Sequence, residues 1–104
     1  MAEQWHKVAQ RSKLAEGEIA STTIGDKQVA VYLIGGEVYA TDNICTHAYA
    51  CLSDGYLEDA IIECPLHAGR FEVKTGKALG APVTKDIAVF PVKIEGDDVL
   101  VQLG

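Results

Sequence analysis

Cys45-Thr46-His47 and Cys64-Pro65-Leu66-His67 are the residues of this chain best equipped for chemistry. Each box pairs one thiolate with one imidazole, and the 16 residues from Ala48 to Glu63 separate the two. Two sulfur and two nitrogen donors of this kind suit a zinc ion or an iron–sulfur centre. Zinc modules usually open with cysteines roughly two to four residues apart. Here a single residue, Thr46, stands between the first two donors, so the spacing favours iron–sulfur over zinc. The third cysteine, Cys51, leaves an odd number, which argues against a disulfide framework, and it reads as a small, buried packing residue.

The elements that must hold these boxes are short strands, because no stretch carries a sustained 3.6-residue apolar period. Glu18 to Ile24, the turn Gly25-Asp26, and Gln28 to Ile34 have the form of a hairpin. Val29, Val31 and Leu33 alternate in it with Tyr32 and Ile34. Gly35-Gly36 then leads into Glu37 to Thr41, completing a meander of three antiparallel strands. Near the end, Ile87 to Ile94, a turn at Gly96-Asp97 and Val99 to Leu103 form a second hairpin, with Pro91 marking an edge or bulge. Both boxes fall between these β regions, in a stretch from Asp42 to Val73 whose beginning breaks the alternation. A single Trp5 in a first strand reads as core, and His6 as its solvated neighbour on the opposite face. Gly76-Lys77 lacks the glycine spacing and following Ser/Thr of a phosphate loop and reads as a turn.

The 104 residues fit one domain, and the 48% hydrophobic and 23% charged composition is that of a globular chain. The N-terminal MAEQWHKVAQ offers neither a signal peptide nor a membrane span, so a soluble cytoplasmic protein is expected. A formal net charge of −6 disfavours nucleic acid and favours a basic protein partner, although such charge also serves solubility alone.

In a Rieske centre two cysteines hold one iron and two histidines the other. The chain resembles the Rieske ferredoxins of bacterial aromatic-ring-hydroxylating dioxygenases, such as those acting on naphthalene or biphenyl. The likeness runs along essentially the whole sequence. It is carried by Ala40-Thr41-Asp42-Asn43 before the first box, Ser53-Asp54-Gly55, the second box, Gly69-Arg70-Phe71, Thr75-Gly76-Lys77 and Ala81-Pro82-Val83. The resemblance implies an all-β Rieske fold: small antiparallel sheets with an inserted two-loop cluster-binding subdomain at about residues 43–73 of a single domain spanning 1–104. It implies one [2Fe–2S] cluster, with Cys45 and Cys64 on the inner iron and His47 and His67 on the outer. Gly80-Ala81-Pro82 would cover the cluster from a third side or serve as a plain turn, and Tyr49, Ala50 and Leu66 would form an apolar docking rim. The implied partners are a flavoprotein ferredoxin reductase and a terminal Rieske oxygenase, in an electron carrier that is not itself an enzyme. The alternative is a Rieske ferredoxin of another oxygenase or reductase system.

Two departures from the respiratory Rieske proteins refine this. Those relatives add a cysteine to each box and join the loops by a disulfide; here the second box has Leu66, so that bridge is not expected. They also place a Ser and a Tyr after the second histidine where this chain has Gly69 and Phe71. Losing both hydroxyl donors lowers the expected potential toward about −150 mV. A catalytic Rieske oxygenase needs a further mononuclear iron on two more histidines and a carboxylate, and only His6 remains.

Overall fold

The computed structural model describes residues 5–44, 51–65, 69–79 and 85–103. Among them ten strands form three antiparallel sheets. β1 (Trp5–Gln10), β9 (Val92–Glu95) and β10 (Asp98–Gln102) make one sheet in the order β1-β10-β9. β2 (Ile19–Ile24), β3 (Lys27–Ile34), β4 (Glu37–Asp42) and the short β8 (Val89–Phe90) make the second, in that order. β5 (Tyr56–Glu58), β6 (Ile61–Glu63) and β7 (Arg70–Glu72) make the third. Among the described residues the helical segments are two single 3-10 turns, Arg11–Lys13 and Leu52–Asp54. No helix among the described residues is long and apolar enough to cross a membrane.

The expected meander is present, with Ile19 facing Tyr32 and Ile34 facing Glu37 at the strand ends. Its middle strand is buried on both sides. Val29 and Val31 join Ala40, Val99 and Val101 in one core, while Ala30 and Tyr32 join Leu52, Ile62, Cys64, Phe71, Val73 and Ile87 in another. Alternation on β3 thus separates two cores, where an ordinary half-buried strand separates a core from water. Within the second core the Tyr32 Oη lies 2.8 Å from the Thr41 Oγ1, so the one large polar tip in it is satisfied. Burial pushes the Tyr32 phenol well above its ordinary value.

The expected strand from Ile87 to Ile94 is divided at Pro91, which lacks the N–H a continuous ladder requires. The chain pairs with β4 before the proline and with β10 after it, and so moves from one sheet to the other. Trp5 and His6 correct the sequence expectation. His6 registers opposite the fully buried Val101 and shares its face, Trp5 registers opposite Gln102 with the Lys93 ammonium 4.6 Å from its ring centroid, and both are half-buried. Strand pairing, which composition does not reveal, decided the faces.

Candidate metal centre

The third sheet carries the second box. Glu63 pairs with Arg70, Ile62 with Phe71 and Ile61 with Glu72, so Cys64 and Gly69 stand at the mouth of a hairpin. The Cys64 N–H donates to the Gly69 carbonyl at 2.6 Å and closes it. Leu57, Ile62 and Phe71 form an inner row across the sheet, and the latter two are fully buried. That row anchors the hairpin to the second core. Cys64 itself is 1% exposed and belongs to this core. A thiolate in such surroundings is costly unless a metal neutralises it, and thiolate is the donor iron–sulfur clusters take, so the described end of the box fits that group.

The first box is closed by other means. Ile44 and Cys51 form an isolated antiparallel bridge on either side of residues 45–50. Just outside it, the Asn43 carbonyl accepts from the Leu52 N–H at 2.7 Å, and Asn43 Oδ1 accepts from the Ser53 N–H at 2.8 Å. Asn43 Nδ2 reaches Gln28 Oε1 at 3.5 Å, an oxygen that also lies 3.7 Å from the Cys51 Sγ. Cys51 is therefore half-buried and in contact with a polar group, where sequence reasoning expected a buried packing residue. The turn that follows ends at Gly55, where a Cβ would press on the Glu63 carbonyl oxygen. A glycine is required there because the exit of the first loop lies against the strand leading into Cys64.

A third stem borders the same hairpin. The Leu79 N–H donates to the Arg70 carbonyl at 2.9 Å, the Ala78 N–H to Asp86 Oδ1 at 2.9 Å, and the Ile87 N–H to the Gly76 carbonyl at 2.8 Å. Gly76 has φ +81°, and a Cβ there would meet the Ile87 carbonyl oxygen, so this turn too requires glycine. The described stems that flank 45–50 and 80–84 thus both adjoin the Cys64 hairpin.

Of the predicted ligands, Cys64 is in the described structure; Cys45, His47 and His67 lie outside the described residues, as do Tyr49, Ala50, Leu66 and Gly80-Ala81-Pro82. Glu58 and Asp59 are exposed and Glu63 is half-buried between Tyr56 and Arg70 in the register. Sequence reasoning gave no role to Asn43, Gly55 or Gln28. The signal available for the first two was their place inside the motifs flanking the first box.

A family profile described as the Rieske [2Fe–2S] domain matches residues 4–91. The ferredoxin component of the naphthalene 1,2-dioxygenase system of Pseudomonas putida is 52% identical over 103 residues, 99% of each chain. The solved ferredoxin of Sphingomonas yanoikuyae B1 superposes with a TM-score of 0.91 at 37% identity, covering 97% of this chain and all of that one. A ferredoxin-type match of 38% identity and TM-score 0.90 comes from a complex of reduced oxygenase and oxidized ferredoxin in carbazole 1,9a-dioxygenase, covering 97% and 94%. With the profile spanning most of its length, three small antiparallel sheets and a buried cysteine at the mouth of a hairpin, the chain belongs to the Rieske [2Fe–2S] domain family, as a full-length relative of its dioxygenase ferredoxins.

Proposed function

We propose that the protein carries one electron at a time from a flavoprotein reductase, itself reduced by a nicotinamide cofactor, to the terminal oxygenase of an aromatic-hydrocarbon dioxygenase system in the cytoplasm. The observation that carries this reading is the 52% identity along 99% of a naphthalene dioxygenase ferredoxin component. Homologues of this kind are electron carriers, not catalysts, and this chain is one of them.

Cys45 and Cys64 would hold one iron of a single [2Fe–2S] cluster, and His47 and His67 the other; when bound, the cluster supplies reversible one-electron chemistry. The burial of Cys64 and the closed stems on either side of each box support that assignment. The residues around Cys64 exclude water: Leu52, Ile62 and Phe71 are fully buried in its core. We place the cluster-binding subdomain at about 43–73, which contains the sheet β5-β6-β7 and the necks of both boxes. Exposed Glu58 and Asp59, in a chain of net charge −6, would attract basic partner surfaces and speed encounters in low salt.

Purified protein, oxidised and dithionite-reduced, is to be measured by visible absorption and low-temperature EPR, with iron and sulfide counted on the same sample. Two irons, two sulfides and an average g below that of all-cysteine ferredoxins are expected. A colourless zinc protein would end the carrier reading. His47→Cys or His67→Cys is expected to abolish the Rieske spectrum, and an unchanged spectrum would show the ligands misassigned. Stopped-flow transfer rates to reductase and oxygenase that ignore salt would remove the steering role of the carboxylates.

A further inference from the structure

Asn43 is 2% exposed and stands two residues before Cys45 of the first box, yet ligand binding gives it nothing to do. All of its polar groups are engaged at the neck of residues 45–50. Its N–H donates to the Gln28 carbonyl at 3.0 Å, and its carbonyl accepts from Leu52 at 2.7 Å. Its side-chain Oδ1 accepts from the Ser53 N–H at 2.8 Å, and its Nδ2 points to Gln28 Oε1 at 3.5 Å. One residue on the incoming strand therefore grips two residues of the outgoing turn and one of the neighbouring strand β3. A buried primary amide left without partners costs about 1–3 kcal/mol, and a hydrocarbon in its place supplies none of these bonds. A carboxylate keeps the acceptor for Ser53 but loses the donor for Gln28.

The turn that Asn43 grips is the one whose Gly55 packs on the Glu63 carbonyl, immediately before Cys64. The amide thus fixes the neck of the first box against the strand that presents the second.

We propose that Asn43 is a positioning residue for the iron–sulfur centre: through Ser53 and Gln28 its amide fixes the neck formed by Ile44 and Cys51 relative to the strand that leads into Cys64. This rests on the reading that Cys45 and His47 are ligands. Loss of the amide perturbs the centre itself, beyond any loss of fold.

The test uses holoprotein carrying Asn43→Leu, Asn43→Asp or Gln28→Leu, with three measurements on each: reduced-state EPR, the rate of iron transfer to a bathophenanthroline chelator, and far-UV melting. Asn43→Leu is expected to shift the g-values and to release iron about 10-fold faster or more. Asn43→Asp is expected to do so less, because it keeps the acceptor for Ser53 and loses only the donor to Gln28. Gln28→Leu gives the smallest change in the same direction. If Asn43→Leu does not fold, the other two variants decide by the same readouts. Wild-type g-values and release rates in folded variants would overturn the proposal, and so would a lowered melting temperature with an unaltered EPR spectrum, which marks a merely structural residue. If the wild-type protein itself shows no Rieske spectrum, the ligand assignment falls and this proposal with it; a wild-type Rieske spectrum with silent variants removes this proposal alone.

Discussion

Ile62 and Phe71 hold Cys64 from a hairpin made of backbone pairing and apolar burial, whereas Ile44 and Cys51 close the other box with one bridge beside a buried asparagine. Beyond its backbone pairing, the Cys64 stem is anchored to the core by apolar burial, so its tolerance follows side-chain volume. The Ile44–Cys51 stem depends on directional bonds that are made or lost as a set. Different kinds of substitution should therefore damage the two.

The largest effect is expected from Cys64→Ser, which removes a proposed ligand while keeping the hairpin. Iron and sulfide analysis should find the centre lost, and full stoichiometry would exclude Cys64 as a ligand. Next comes Phe71→Ala, which empties the inner row of the hairpin and is expected to cost about 3–5 kcal/mol in denaturant unfolding. A cost under about 1 kcal/mol would show that apolar burial does not anchor this stem. Gly55→Ala probes the contact between the stems. Its Cβ must displace the Glu63 carbonyl, at a cost of about 1–3 kcal/mol, and an unchanged unfolding midpoint would mean that the stems move independently.

The smallest effect belongs to Asp97, remote in sequence from both boxes, as a control. The Ser12 hydroxyl and N–H donate to its carboxylate at 2.7 and 2.8 Å and hold it below its ordinary value. The stability it adds is complete above its unfolded pKa of about 3.9 and is lost as pH falls through the lowered folded value. Asp97→Asn is expected to flatten that part of the melting-temperature profile between about pH 5 and 2 without altering iron release. Faster release in this variant would show that damage anywhere loosens the centre, and the contrast between the stems would lose its meaning.

These contrasts follow what could be read in the residues. β2, β3 and β4 were legible because each is long enough for alternation to show and is bounded by Gly25-Asp26 or Gly35-Gly36. The break at Pro91 was legible from a missing donor. The sheet β5-β6-β7 was not, since its three-residue strands are too short for a period, and Ile61-Ile62 follows Asp59-Ala60 as it would in a loop. The boxes themselves were conspicuous by donor type and spacing. The asparagine beside the first was not, because an Asn next to a loop is ordinary and only the distant partners Gln28 and Ser53 show what it grips.

The strand β3 has a consequence for how the molecule comes apart. Val29 and Val31 complete one core and Ala30 and Tyr32 the other, so neither can be assembled while that strand is free. Unfolding of the protein should then be a single cooperative event, and the slowest amides to exchange with deuterated solvent should be those of β3, opening only when the whole chain does.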